Sequence, residues 1–92
     1  MIKSFKHRGI ERFFTASNHK GIPVASAARI ERLLDFLDAS VAPADMNLPG
    51  LKFHELKGDR KATFLIAVTG NYRITFRFDG EDAADVDLED YH

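Results

Sequence analysis

Residues 71–78 read NYRITFRF, and the alternation inside them sets the frame for the whole chain. Tyr72, Ile74, Phe76 and Phe78 alternate with Arg73, Thr75 and Arg77, the period of two that a half-buried β-strand imposes. Matching runs lie on both sides. Residues 63–68 (TFLIAV) put Phe64, Ile66 and Val68 on one face. Residues 84–88 (ADVDL) put Ala84, Val86 and Leu88 on one face and Asp85 and Asp87 on the other. A one-residue slip would turn every side chain to the wrong face, so aligning the apolar positions predicts the register. Phe64 is expected opposite Phe76 and Ile66 opposite Ile74, then Ile74 opposite Leu88 and Phe76 opposite Val86. The reversals are expected at Thr69-Gly70-Asn71 and over residues 79–83, each with a glycine for the tight turn. These strands make a meander with an apolar back and a charged front.

The rest of the chain must cover that back. Ile2 and Phe5 suit a short first strand, and Ile10, Phe13 and Phe14 fall at helical spacing within residues 7–16. Pro23 suits the first turn of a second helix that runs to about Asp38. Ala27, Ile30, Leu33, Leu34 and Leu37 line one side of it, and Arg29, Glu31, Arg32 and Asp35 the other. Residues 39–50 form a connection closed by Pro49-Gly50. Alternation resumes at residues 51–55, with Leu51 and Phe53 inward and His54 on the opposite face, before a turn at Lys57-Gly58-Asp59-Arg60. The expectation is one α+β domain over residues 1–92. Two N-terminal helices pack on one face of a four- to five-stranded, mainly antiparallel sheet.

Composition narrows the function classes. With 92 residues and no cysteine, a disulfide framework and thiolate metal sites are excluded, and a reducing cytosol is the expected compartment. No apolar run approaches the roughly 18 residues of a spanning helix, and charges interrupt MIKSFKHRGIERFF too often for a signal peptide. Neither helix has the consistently basic polar face that membrane binding would require. The net charge of −1 conceals an asymmetry: all 13 Lys and Arg precede residue 78, whereas residues 78–92 hold seven of the 14 acids. The simple reading is an acidic tail that solubilises and pairs with a basic body. The sharper reading is a polyanion-binding surface. Charge alone favours the simple one.

The polar front of the meander is predicted to carry His54, Arg73, Thr75, Arg77, Asp85 and Asp87, with Lys57 and Arg60 in the adjoining turn. In the expected register Arg77 faces Asp85 and Arg73 faces Glu89, so both arginines also fit ordinary cross-strand ion pairs worth about 0.2–1 kcal/mol. No HExxH or comparable metal spacing, Gly-rich phosphate loop or nucleophilic triad is present. From pattern alone, the chain is a small α+β domain with a positive patch.

Three runs carry the reading further. FHELKGDR (53–60), NYRITFRF (71–78) and LEDYH (88–92) together resemble the HigB family, the plasmid-maintenance killer branch of the RelE/ParE toxin superfamily. The likeness extends to MIKSFKHRGIERFF and ARIERLLDFLDA, so it spans essentially the whole chain. At the position before Arg73, where the family commonly has Trp, this chain has Tyr72, read here as a core aromatic.

The resemblance implies a RelE-like microbial RNase fold and a ribosome-dependent mRNA endonuclease that needs no metal or other cofactor. It also implies a helix-turn-helix, HigA-like antitoxin as partner, with operator DNA reached only through it. The active-site positions it implies are His54, Lys57, Arg73, Asp90, Tyr91 and His92. RNA cleavage of this kind needs a base for the 2′-hydroxyl, an acid for the leaving 5′-oxygen and cations for the phosphorane. Histidine titrates near working pH, so His54 and His92 share the acid and base roles, in an order left open. Asp90 would tune an imidazole or itself take the proton, Arg73 and Lys57 would hold the phosphate, and Tyr91 would stack on a base. Lys3, Lys6, Arg8, Arg12, Arg60, Lys61 and Arg77 are the expected contacts to RNA and the 70S ribosome. The rival readings are a ParE-like toxin that binds DNA gyrase without catalysis, and a non-catalytic regulator that acts through its antitoxin. The polar ending favours the nuclease.

Overall fold

The structure, a computed structural model, describes residues 1–90; Tyr91 and His92 lie outside the described residues. Helix α1 spans Arg8–Ala16 and α2 spans Ala27–Ala39. Four strands follow: β1 His54–Glu55, β2 Phe64–Ala67, β3 Tyr72–Asp79 and β4 Asp82–Asp90. They pair antiparallel in the order β1-β2-β3-β4, so the meander is the sheet. The α+β architecture is the expected one.

The predicted register holds across β2 and β3, where Phe64 faces Phe76 and Ile66 faces Ile74. It also holds for Ile74 opposite Leu88 and Arg73 opposite Glu89. Beyond Thr75 the pairing shifts: Thr75 faces Asp87, but Arg77 faces Ala84 instead of Asp85. Asp85 and Val86 together therefore oppose Phe76, a β-bulge whose residue Asp85 has φ 52°. The expected pairing of Phe76 with Val86 and the inward Ala84 are corrected accordingly. Ala83, opposite Phe78, takes the core position, while Ala84 joins the Arg77 side. A run of two alanines fits either face and leaves the slip without a hydrophobic signature.

The second hairpin is tighter than expected. Asp79 pairs with Asp82 across Gly80-Glu81, and Gly80 adopts φ 63°, a value open to glycine without steric cost. β4 thus begins at residue 82 and not at 84. The first segment runs parallel to its edge through bridges Ile2–Ala83 and Phe5–Val86, with Lys3 N–H donating to Ala83 O at 2.8 Å. That strap covers backbone groups β4 would otherwise expose.

The helices cover the apolar back. His7 caps α1 by accepting from the Ile10 N–H at 3.0 Å. Pro23 leads into a 3-10 turn, Val24–Ser26, so α2 starts later than the proline signal implied. Ile10, Phe13, Ile30, Leu33, Leu34 and Leu37 meet Ile66, Ile74, Phe76 and Val86 in one core. Met46, in the stretch expected to be plain connection, is fully buried there, its Sδ 3.3 Å from Ser40 Oγ, which donates to the Phe36 carbonyl at 2.8 Å. The strand expected over residues 51–55 is cut to two residues because Lys52 takes φ 53°.

Candidate active site

Strand alternation builds the front of the sheet in rows. One row runs His54, Leu65, Thr75, Asp87 across all four strands; the next runs Ala67, Arg73, Glu89. His54 and Arg73 therefore share a face, two strand spacings and one row apart, about 12 Å in all. Leu65 is buried on this front, outside the main core, and gives the polar face an apolar centre.

His54 is exposed, and its Nδ1 lies 2.9 Å from the carbonyl oxygen of Lys52. A carbonyl accepts only, so Nδ1 is the ring's donor. In the neutral imidazole that leaves Nε2 with the lone pair. The left-handed turn at Lys52 thus both ends the strand pattern and aims the carbonyl that fixes this tautomer.

Glu89 organises the cations. Its Oε1 accepts from Arg73 Nε at 3.2 Å, Arg73 Nη2 at 3.0 Å and Arg60 Nη1 at 3.2 Å. Its Oε2 accepts from Arg60 Nη2 and, at 2.9 Å, from the buried Thr75 hydroxyl. The Arg60 hydrogen bonds above all, then those of Thr75 and Arg73, hold the carboxyl down from 4.5 to about 2. Glu89 was expected to face Arg73. That it would also bind Arg60, 29 positions earlier, has no signal in the local pattern. The latch docks the turn Gly58–Arg60 on the sheet.

The remaining predicted residues fall into groups. Lys57 and Lys61 line a separate hollow beside that turn, and both side chains are exposed. Among the described residues neither ammonium has an ion pair. Arg77 is tied to Asp85, Nε to Oδ2 at 2.8 Å, at the far end of the sheet. Lys3 is paired with Asp79 near the same end. Lys6, Arg8 and Arg12 are exposed along the strap and α1. Asp90 is the last residue of β4, in register with Tyr72, on the alternate pleat from Arg73. The predicted catalytic residues Tyr91 and His92 follow it, outside the described residues. A shallow cleft of about 180 Å³ opens at this end, between the β2–β3 turn and Lys52, with Arg73 in its wall.

A family model described as "RelE-like toxin of type II toxin-antitoxin system HigB" matches residues 3–92. Among curated proteins the chain is similar to "Endoribonuclease HigB" of Proteus vulgaris, 40% identical over 92 residues that cover 100% of each. It is also similar to "Toxin HigB-1" of Vibrio cholerae serotype O1, 32% identical over 80 residues, 85% of this chain and 84% of that protein. The likeness first read from the three short motifs is borne out, and it carries the implication of an antitoxin partner. The chain belongs to the HigB-like family of RelE-like toxins of type II toxin–antitoxin systems.

Proposed function

We propose that this toxin is an endoribonuclease that acts in the A site of the 70S ribosome and cuts the mRNA held there, without a metal ion. The observation that carries the reading is the His54 ring, fixed through Nδ1 on a backbone carbonyl and left with Nε2 as acceptor. Nε2 takes the proton of a 2′-hydroxyl, whose oxygen attacks the adjacent phosphorus as the bond to the 5′-oxygen breaks. His92 supplies the proton that the leaving 5′-oxygen needs, with Asp90 orienting or tuning its imidazole. Arg73, its guanidinium held on Glu89, and Lys57 neutralise the charge that builds on the phosphoryl oxygens. Tyr91 stacks on a codon base. The products carry a 2′,3′-cyclic or 3′-phosphate and a 5′-hydroxyl.

An open sheet with its histidine and arginine about 12 Å apart gives little orientation of its own. A substrate already laid out in the decoding site supplies it, which supports ribosome dependence. Growth inhibition follows from lost translation, in the cytoplasm. The partner is a helix-turn-helix antitoxin, through which the toxin reaches operator DNA. The relative named as an endoribonuclease, similar along its whole length, supports the same activity.

The test is 5′-end mapping of an mRNA on programmed 70S ribosomes, with wild-type protein, His92→Ala and a ribosome-free control. Cleavage inside the A-site codon, lost in the variant and in the control, is expected. Intact mRNA under a protein that still arrests growth would overturn the nuclease and favour gyrase binding.

A further inference from the structure

The front cations divide into two kinds. Arg60 and Arg73 are bound to Glu89, Arg77 to Asp85 and Lys3 to Asp79. Lys52 stands apart from these: among the described residues its ammonium makes no ion pair and no hydrogen bond, yet it lines the same cleft as Arg73. The backbone there is costly. Lys52 holds φ 53°, in the left-handed region where glycine sits without strain and a lysine does not. The structure needs the left-handed turn, since it aims the Lys52 carbonyl at His54 Nδ1, 2.9 Å away. It has no packing use for a long cationic side chain at an exposed position. Strain kept at a cleft wall points to a role in binding.

The lining gives the chemistry of the ligand. Leu65 and Ala67 form an apolar floor on the front face, while Lys52 and Arg73 add positive charge at its rim. Thr69 Oγ1 is already used by the Asn71 and Tyr72 N–H groups at 3.2 Å, so it braces the turn that forms the other wall. A small apolar floor with two cations beside it suits a ribose or base edge carrying a phosphodiester.

We infer that Lys52 is a phosphate-binding residue of the substrate site, holding the backbone phosphate next to the one cleaved, with the attached nucleoside on Leu65 and Ala67. The inference rests on the nuclease reading and adds a residue to it. Lys52 contacts substrate while its own carbonyl sets the His54 ring, so one left-handed residue serves both binding and proton transfer.

Binding to 70S ribosomes separates the contributions. One set carries an mRNA whose A-site codon is 2′-O-methylated and uncleavable; the other carries no mRNA. The mRNA-dependent gain in affinity is measured over a range of salt for wild type, Lys52→Gly and Lys52→Arg. Lys52→Gly keeps the carbonyl and relieves the backbone, so its melting temperature stays equal or rises. Its mRNA-dependent gain is expected to fall roughly tenfold at low salt, with the log–log salt slope smaller by about 0.7, as for one lost phosphate contact on a single strand. Lys52→Arg restores both. An unchanged gain in Lys52→Gly overturns the inference while leaving the nuclease intact, and so does a gain absent from wild type that nonetheless cleaves. Wild type that gains affinity from mRNA through Lys52, yet leaves cleavable mRNA whole, retains the phosphate site and refutes the nuclease.

Discussion

His54 and Glu89 share the front of the sheet in opposite electrostatic situations. His54 is exposed and held by a single bond to a carbonyl two residues away. Removing it costs little packing, so His54→Ala should change unfolding free energy by less than about 0.5 kcal/mol. Cleavage on programmed ribosomes should fall by roughly 10²–10⁴, the usual share of a positioned proton acceptor. A variant that melts early in proportion to its lost activity would make the histidine structural. Glu89 is the reverse case, a carboxylate 19% exposed that satisfies two guanidinium groups and a buried hydroxyl. Glu89→Gln should destabilise by about 1.5 kcal/mol at neutral pH, the low end for hydrogen bonds to charge because water still reaches the site. Its carboxyl lies at about 2 in the fold against the usual 4.5. The stabilisation it provides is therefore complete above pH 4.5 and is lost as pH falls toward 2. Chemical denaturation of both proteins across that window should show the wild-type advantage shrinking with acid. A constant gap would mean that the ion pairs do not hold the latch.

The central strand β3 was legible because it obeys one rule along its whole length. Phe76, wholly buried between Phe64 and the helices, is where that rule has most energetic weight. Phe76→Ala should cost roughly 3–5 kcal/mol, and thermal melting read by circular dichroism should show a domain largely unfolded. Retained cooperative melting near the wild-type temperature would show that the core can collapse around the gap. Elements that follow a second rule were harder to read. The bulge at Asp85 needs the backbone N–H of that residue bonded to Ser4 Oγ at 2.8 Å, a contact across 81 positions. The strand cut short at Lys52, the Met46 anchor and the Arg60 latch likewise depend on tertiary partners that local periodicity does not encode. Of the polar front, the ion pairs of Arg73 with Glu89 and of Arg77 with Asp85 were legible from strand register, whereas the bond from Arg60 to Glu89 was not. That Glu89 also answers Arg60 is decided by how the turn Gly58–Arg60 docks, and docking is a property of the folded sheet.

Pairing also resolves the charge asymmetry of the whole molecule. The basic first 77 residues and the acidic end meet on β4, where Asp85 pairs with Arg77 and the single carboxylate of Glu89 pairs with both Arg60 and Arg73, leaving one positive charge over. Asp79, at the β3–β4 hairpin, pairs with Lys3. The simple reading of the acidic tail is thus correct for these four cations. It does not extend to Lys57 and Lys61, whose ammonium groups have no ion pair among the described residues and lie together beside one hollow. A polyanion exchanges its counterions for cations that touch its phosphates, so the two kinds of charge should differ in salt dependence. Lys57→Gln with Lys61→Gln should lower the log–log salt slope of ribosome binding by roughly 0.7–0.9 per lysine. Arg77→Gln with Asp85→Asn removes a neutral pair and leaves the net charge unchanged, so its slope should equal that of wild type. Equal slopes for all three proteins would place the RNA contact elsewhere, on Lys6, Arg8 and Arg12 along the strap and α1. A slope reduced by the Arg77 and Asp85 pair alone would mean that the ion pair opens on the ribosome. The acidic strand would then act as an internal competitor for the toxin's own arginines.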